Sequence, residues 1–577
     1  MNPAQLLAHF DRLVEAPDAI PRLRRFILDL AVRGKLVEQD SKDEPASELL
    51  DKISQAKKHL VAQEKLRITK ELEPVTEGEL LFDLPALWCR TRLGMVFDVR
   101  DGTHETPKYV ETGYPLITSK NLSSGRLSFN DVKLISEQDH QQISERSMVE
   151  RDDILLAMIG SIGNPVLVDT DRPFSIKNVA LFKYYDRGLS CPGFLCLFLQ
   201  YAAGKMRQLA AGGLQPFVSL GFLRTFPITL PPLAEQRRIV AKVDELMALC
   251  DRLEAAQARR ERRRDRLAAA SLNRLNRPDD GAKAFRAHAC FHLCHLPRFT
   301  VRPDQIPALR QTVLNLAFCG RLVRQRANEG TGNLLLQRLN AAILKDRKVA
   351  GSRKKGQPTV DPMNCPPAFG TPASWAWSYL VFLCEQIADV DHNMPKAVQG
   401  GVPFISAKDL KDDGTIDFSD PKMISEDDYT RMARKVQIQR DDIVYSRIGA
   451  RLGKARLVQV DTRFLISYSC CLIRPRYEFV DKNYIQRFLD SALALKQAHK
   501  GTQSIGVPDL GLGEIKAFRI PLSPLAEQRR IVAKVDELMA VCDRLESQLA
   551  TAQTESRRLL EAILHEALAP AAALEAE

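Results

Sequence analysis

The sequence contains no uninterrupted apolar run of the roughly eighteen residues that a membrane-spanning helix needs. The N-terminus lacks the basic start, apolar stretch and small-residue cleavage site of a secretion signal. A GxxxxGK[ST] phosphate loop is also missing, so no cradle for nucleotide hydrolysis is visible. These absences predict a cytoplasmic protein that does not bind a membrane and does not hydrolyse nucleotides itself.

Metal-binding and catalytic motifs are equally sparse. The twelve cysteines show no regular framework spacing, which favours reduced thiols over disulfides. The densest metal-like group is 288–295, with three histidines and two cysteines, but no second ligand pair follows at a zinc-site distance. The string most similar to an amino-methyltransferase motif, 364–369, has an extra residue on each side and lies in a proline-rich stretch. We therefore expect no catalytic residue, no metal and no cofactor in this chain.

Size and charge indicate a multi-domain protein with a polyanionic partner. At 577 residues the chain is too long for one hydrophobic core, while 45% apolar and 27% charged residues are typical of globular proteins. A formal net charge of +11 is a modest bias towards polyanions such as nucleic acid.

Comparison of the chain with itself reveals a repeat. Residues 232–254, PLAEQRRIVAKVDELMALCDRLE, return at 524–546 with one difference, Leu249 against Val541. Weaker matches extend the repeat: DGTHETPKYVETGYPLI aligns with DVDHNMPKAVQGGVPFI, and RDDI occurs at 151 and 440. The sequence therefore predicts two tandem copies of one unit, with helix copies almost identical and the remaining parts divergent.

Each copy has the same predicted order of helical segment, mixed domain and long helix. Short β-branched runs broken by Gly, Pro and Asn indicate strands in the mixed domain, and Gly160–Gly163 and Gly449–Gly453 are typical of hairpin turns. This order predicts a mixed α/β (α+β) fold with an internal pseudo-two-fold repeat. The predicted regions are an N-terminal helical region (1–84), a first mixed domain (85–230), a central long helix (231–278), a linker with a second helical region (279–369), a second mixed domain (370–522) and a C-terminal long helix (523–577).

The long helices carry a heptad seam, from Ile239 through Leu253 in the first and from Ile531 through Ile563 in the second. The natural partner of one seam is the other. We therefore predict an antiparallel coiled coil that holds two globular mixed domains apart.

In this order and twice over, these motifs resemble the specificity subunits of type I restriction–modification systems. The resemblance covers nearly the whole chain and includes LAVRGKLV, DDILLAMIGSIGNPVLV and PLAEQRRIVAKVDELMALCDRLE with their second copies. It implies that each mixed domain is a target-recognition domain that reads one half of a bipartite site in double-stranded DNA.

The resemblance further implies that the long helices set the spacer between half-sites and dock two adenine-N6 methyltransferase subunits, which nuclease/translocase subunits join. S-adenosylmethionine, ATP and Mg²⁺ would then belong to those partners. Like helices predict two copies of one partner, and unlike mixed domains predict an asymmetric DNA site.

Candidate contacts follow from residue type and position. Polar residues on predicted loops of the mixed domains are candidate DNA contacts, because Arg, Lys, Asn and Gln suit phosphates and base edges. The candidates are Lys120, Asn121, Ser161, Asn164, Gln215, Lys408, Arg447, Arg451, Lys454 and Gln503. Charged residues beside the seam are candidates for partner docking, with helix capping or intrahelical ion pairs as the alternative: Glu235, Arg237, Arg238, Glu527, Arg529 and Arg530. The paired His104 and His392 are expected to order their loops.

A different class of function also fits the repeat. The chain could be a protein-binding scaffold with two interaction modules and no DNA sequence specificity, its basic charge being incidental. Sequence-dependent, salt-sensitive binding to duplex DNA separates the two hypotheses, because phosphate contacts weaken as salt rises.

Overall fold

A computed structural model describes residues 16–568, except 17, 67–71, 80–81, 161, 211–216, 278–280, 350–363, 393 and 503–507. The chain forms two compact units, one made of 1–259 with 553–577 and the other of 260–552. Each long helix therefore begins in one unit and ends in the other. None of the described helices is both long and apolar enough to cross a membrane.

The first unit combines helices with three small sheets. Its helices are α1 (Ala19–Val32), α2 (Ala46–Ala62), α3 (Leu93–Val96), α4 (Glu137–Ser147), α5 (Pro192–Gln208), α6 (Leu220–Thr225) and the start of α7 (Leu233–Leu275). Its strands are β1 (Cys89–Arg92), β2 (Phe97–Asp101), β3 (Tyr109–Val110), β4 (Tyr114–Ile117), β5 (Lys133–Ile135), β6 (Ile154–Ala157), β7 (Pro165–Leu167), β8 (Ser175–Ile176), β9 (Val179–Tyr184) and β10 (Pro227–Leu230).

The sheets of the first unit are mostly antiparallel. Strands β2, β9, β6 and β7 form one sheet in that order, β3, β5, β4 and β8 form another, and β1 pairs with β10. Only β4 and β8 are parallel among the pairs of these sheets. Buried side chains such as Phe182 and Phe198 fill the main core. A second core, next to the β3-β5-β4-β8 sheet, contains Ile117 and Phe174.

The second unit repeats this architecture. Its helices are α8 (Ala282–Phe299), α9 (Ile306–Phe318), α10 (Gly332–Val349), α11 (Leu380–Leu383), α12 (Glu426–Met432), α13 (Lys482–Leu489), α14 (Ala492–Gly501), α15 (Leu512–Lys516) and the start of α16 (Leu525–Leu568). Its strands are β11 (Ala376–Tyr379), β12 (Cys384–Ala388), β13 (Val402–Ile405), β14 (Lys422–Ile424), β15 (Ile443–Ser446), β16 (Ala455–Leu457), β17 (Leu465–Ile466), β18 (Cys470–Pro475) and β19 (Arg519–Leu522). The orders β12-β18-β15-β16 and β14-β13-β17 match the first unit, so the repeat and the mixed α/β class are confirmed.

The recurring RDDI motif has a structural role in both units. Its last aspartate, Asp153 or Asp442, is buried and accepts a hydrogen bond from the backbone three residues earlier. It also pairs with a cation on the neighbouring strand, Lys183 at 2.8 Å or Arg474 at 2.7 Å. The hairpins predicted after this motif are confirmed, since β6 pairs with β7 and β15 with β16.

The seam residues near the start of each long helix pack within their own unit. Ile239 and Val243 lie in a core with Ile20 of α1 and Trp88. Ile531 and Val535 join the main core of the second unit. Over these turns the seam anchors a mixed domain and its helical segment, while mutual packing of the two long helices stays a prediction.

The segment between the copies is more regular than the sequence indicates. Helix α8, Ala282–Phe299, occupies a stretch that carried no clear helical pattern in the sequence. The histidines and cysteines of 288–295 therefore lie around a helix. His292 is buried and bonds Ser271, whereas Cys290 and Cys294 are exposed. No group of three or more metal-ligating side chains is assembled within the described ranges.

Two adjacent glycines before β13 give a first test of the fold. At Gly401, where φ is 116°, an added Cβ would lie 2.3 Å from the carbonyl oxygen of Ile424 on the paired strand. We expect Gly401→Ala to lower the free energy of unfolding of the second unit by about 3 kcal/mol, because backbone must move. Urea denaturation measures this loss.

The matched control is Gly400→Ala. Gly400 also has a positive φ of 78°, but an added Cβ would meet open space. Its cost is therefore only the left-handed backbone, about 1 kcal/mol. Equal losses for the two variants would contradict the close approach at Gly401.

Candidate nucleic-acid interface

One edge of the β3-β5-β4-β8 sheet in the first unit forms a concave basic surface. Parallel pairing of β4 with β8 places the residues after both strands at the same edge, and antiparallel pairing places Lys133, the first residue of β5, opposite Leu116. Lys120 and Lys177 follow β4 and β8, so three lysines line one cavity of about 660 Å³. We call Lys120, Lys133 and Lys177 with this cavity the basic pocket.

The lysines of the basic pocket are suited to bind phosphate. None of the three forms an ion pair with a carboxylate in the part of the chain that the structure describes. Lys177 donates a hydrogen bond to the Thr106 hydroxyl, and the Lys133 ammonium lies 5.8 Å from the centroid of the Tyr109 ring. Tyr109 is 49% exposed at the rim and offers a surface for stacking or sugar contact. Cations beside an exposed ring are typical of nucleic-acid contacts.

Of the predicted residues in this region, Asn121 has a different role. Its side chain is 8% exposed, accepts from the Thr118 backbone and hydroxyl, and donates to the carbonyls of Ser128 and Asn130. These four hydrogen bonds order the turn that presents Lys120, and they leave no free amide for a base. The structure therefore corrects the prediction that Asn121 contacts DNA.

The remaining candidates of the first mixed domain are placed as follows. Lys120 is exposed at the basic pocket, and its DNA contact stays a prediction. Asn164, in the β6–β7 turn, donates to the Ser123 carbonyl at 3.1 Å and ties that turn to the loop after Lys120. Ser161 and Gln215 lie outside the described residues, as does Gln503 of the second domain.

His104 orders its loop, as predicted. Its ring nitrogens lie 2.9 Å from an Asp101 carboxylate oxygen and 3.2 Å from the Asn178 side-chain oxygen. Asp101 is itself buried and also pairs with Arg146 of α4. In the second unit His392 lies beside Asp389 and stacks on Tyr468. Both histidines thus hold loops that border a candidate DNA surface.

In the second mixed domain Lys408 is exposed and Lys454 is half-buried. Lys408 lies on the turn that corresponds to that of Lys120. Lys454 forms an ion pair with Asp412, and Arg451 donates to the Leu410 carbonyl at 2.8 Å. Lys454 and Arg451 therefore also connect the hairpin turn with the loop after β13.

Arg447 is a buried structural residue and no exposed reader of DNA. Its side chain is 4% exposed and donates to Asp389 at 3.0 Å, to Asp509 at 2.9 Å and to the Leu510 carbonyl at 3.0 Å. These partners come from distant loops, which the guanidinium fastens together. The predicted base or phosphate contact of Arg447 is corrected for this reason.

Sequence reasoning missed Lys133, Lys177 and Tyr109. The sequence contains a signal for Lys133, because KLIS recurs as KMIS and places Lys422 at the same position of the second copy. It contains no such signal for Lys177, since the approach of Lys177 to Lys120 depends on the pairing of β4 with β8.

Of the candidate docking residues, the two glutamates are buried. Glu235 has no exposed surface and accepts hydrogen bonds from the Trp88 indole at 3.0 Å and from Gln39 at 2.6 Å. Glu527 is 1% exposed and accepts from Gln325 at 3.2 Å. Burial raises the pKa of both carboxyl groups above the usual value. Glu235 and Glu527 therefore anchor the first turn of their helices. The prediction that these two glutamates contact a partner protein is wrong, because their side chains are buried.

The arginines of the same motif divide into two classes. Arg238 pairs with Asp43 at 2.6 Å and Arg530 with Glu329 at 2.5 Å, so these two hold a loop against the helix. Each of these two ion pairs joins the long helix to a loop of the same unit, and neither is an intrahelical ion pair. Arg237 and Arg529 are exposed and form no ion pair with any described residue. Only this second class is free to meet another protein.

Around Arg237 and Arg529 lies an exposed surface that is nearly identical in the two helices. We call it the outward face, formed by Arg237, Ala241, Asp244, Glu245, Ala248, Leu249 and Arg252 in α7 and by Arg529, Ala533, Asp536, Glu537, Ala540, Val541 and Arg544 in α16. Leu249 and Val541 are 43% and 41% exposed, so each outward face carries one large apolar side chain at the matched position.

Comparison with known proteins identifies the family of the chain. The family model of the type I restriction modification DNA specificity domain matches residues 85–261 and 391–552. The EcoAI specificity subunit of Escherichia coli is 27% identical over 95% of this chain and 94% of its own length, and the EcoEI specificity subunit is 26% identical with the same coverage.

A chain of a solved structure concerning complex assembly of the type I R-M system is 21% identical, with a TM-score of 0.45 over 84% of this chain and 99% of that chain. Since the family model matches more than half of the sequence, the chain belongs to the type I restriction–modification DNA specificity family and is a non-catalytic specificity subunit of such a system.

Proposed function

We propose that each mixed domain reads one half of an asymmetric, bipartite DNA site. The observation that carries this proposal is the basic pocket, which gathers unpaired lysines and an exposed tyrosine at one sheet edge. Phosphate contacts at such an edge fix the register of a domain on the duplex, and loops beside it read the bases.

The two domains differ at matched positions of this surface, which supports unlike half-sites. Lys177, after β8, corresponds to the buried Ser467 after β17. Asn164 of the first hairpin turn corresponds to Lys454 of the second. The second domain thus presents a different set of hydrogen-bond donors.

The outward faces support docking of two copies of one adenine-N6 methyltransferase subunit. Folding places few demands on exposed positions, and the exposed residues of the mixed domains have diverged between the copies. Near identity on the outward faces is therefore what one shared partner requires. S-adenosylmethionine, ATP and Mg²⁺ would be bound by these partners and by nuclease/translocase subunits.

Exchange of residues 85–230 for the recognition domain of another specificity subunit tests domain independence. We expect the complex with methyltransferase to keep one half-site and to acquire a new second one. Methylation-sensitive sequencing of DNA from cells expressing the chimera reads both half-sites. A change in both half-sites would contradict domain independence, whereas DNA binding that is equal for every sequence at all salt concentrations would favour the scaffold hypothesis.

The helices also offer a test of the spacer. Arg24 of α1 forms ion pairs with Asp251 and Glu254 of α7, and further along the helix Glu261 pairs with Arg302. A four-residue insertion in 255–260 of α7, with its match in α16, lengthens each helix by about 6 Å. We expect the gap between half-sites to grow by one or two base pairs, at about 3.4 Å each. An unchanged gap would contradict the spacer role.

A further inference from the structure

The loops beside the two outward faces carry opposite charge. In the first unit Gln39 bonds Glu235 and Asp43 bonds Arg238, which ties the loop 38–42 to the first turns of α7. In the second unit Gln325 and Glu329 tie the loop 324–328 to α16 in the same way. We call these the rim loops.

The rim loops differ most in their exposed charged residues. Glu38, Asp40 and Lys42 give the first rim loop a net charge of −1, whereas Arg324 and Arg326 give the second a net charge of +2. All five side chains are exposed, and Arg326 also pairs with Glu329 at 3.6 Å. In the first unit Glu38 and Asp40 also line a groove of about 590 Å³ together with Arg238 and Lys242 of the helix.

The shared helix surface indicates the charge of the partner at this point. In the first turns of the two long helices, Arg237 and Arg529 are exposed and without an ion-pair partner among the described residues, whereas Lys242 and Lys534 are paired with Glu245 and Glu537. A protein that docks on both faces therefore presents an acidic group here. The same acidic surface meets a basic rim on the second unit and an acidic rim on the first.

We propose that the two methyltransferase docking sites are unequal, the site on α16 binding more tightly than the site on α7 because of the rim loops. This inference rests on the proposed docking of one partner on both helices. A difference of three exposed charges, each worth about twofold to fivefold, makes the two dissociation constants differ by roughly tenfold to hundredfold at low salt. The complex then assembles in order, with the second-unit site filled first.

Titration of the full chain with the methyltransferase subunit of its own system, followed by calorimetry at 50 mM salt, tests this order. We expect two separable dissociation constants that converge at 1 M salt, where the screening length is about 3 Å. Glu38→Arg with Asp40→Arg makes the first rim loop like the second, so the two constants should merge at low salt. Arg324→Glu with Arg326→Asp makes the second rim loop acidic, so both sites should then show the weaker of the two dissociation constants.

The control is Glu73→Arg with Glu145→Arg, which makes the same change of charge on exposed residues away from the rim. This control should leave two constants. Equal constants in the unchanged chain, or constants that move apart in the Glu38/Asp40 variant, would overturn the inequality while leaving the docking intact. Absence of any binding would instead overturn the proposed function.

Discussion

Replacement of Lys120, Lys133 and Lys177 by alanine should weaken binding of the first half-site about 100-fold at 0.1 M salt. Each lysine that neutralises one phosphate releases about 0.9 counterion, so removal of all three should also reduce the salt slope of the binding constant by about 3. The three lysines line one cavity, outnumber its one acidic lining residue, Asp131, and form no ion pair with a described carboxylate, so their positive charge is available to DNA. Fluorescence anisotropy over a series of salt concentrations measures both quantities on the methyltransferase complex.

A charge-matched control separates this local effect from a loss of net charge. Lys58, Lys65 and Arg207 are exposed in the same unit and lie outside the basic pocket. Their replacement by alanine should change the affinity less than about threefold, because only screened long-range attraction is lost. Similar losses in the two triple variants would show that the basic pocket is no phosphate site.

The sequence predicted the architecture because local patterns and the repeat both encode it. The hairpins after RDDI and the two long helices were predictable, since alternation and heptads are short-range signals that two copies reinforce. The basic pocket was not. It forms only when β4 pairs in parallel with β8, and nothing near Lys177 in the sequence indicates that Lys120 will lie beside it.

The second feature that the sequence did not predict is whether a charged side chain points into the core or into solvent. Glu235 and Arg237 are separated by one residue in a motif of charged appearance, yet the first is fully buried and the second exposed. A helical wheel gives their relative angle, but only the position of Trp88 decides which of them faces the core. Charged residues at the start of a long helix therefore require the tertiary contacts before a docking role can be assigned.

The burial of Arg447 in the second mixed domain was not predicted either. The counterpart of Arg447 in the first copy is Met158, so the repeat gave no indication of the role of this arginine. Met158 is buried and apolar, and the aspartate of that copy, Asp101, takes its cation from Arg146 on α4. In the second copy Asp389 receives the guanidinium of Arg447, the residue directly after β15. The two domains thus compensate an equivalent carboxylate from different directions, which no comparison of the copies could reveal.

This arrangement predicts that Arg447→Ala destabilises the second unit strongly. The substitution leaves Asp389 without its cation and releases the loops of Asp509 and Leu510, a loss of about 3 to 5 kcal/mol for a buried pair. Arg447→Met, which installs the residue of the first copy, should be similarly unstable. Addition of Asp389→Asn should recover part of the loss, since a neutral amide is less costly to bury unpaired than a carboxylate. Chemical denaturation measures each value.

Lys408→Ala provides the opposite behaviour in the same unit. Lys408 is exposed, so its removal should leave the free energy of unfolding within about 0.5 kcal/mol of the parent while weakening DNA binding. If Arg447→Ala instead matched this behaviour, with unchanged stability and reduced affinity, Arg447 would be a direct DNA contact. Loss of stability that is partly restored by Asp389→Asn is the result expected only when the guanidinium compensates the Asp389 carboxylate and holds these loops together.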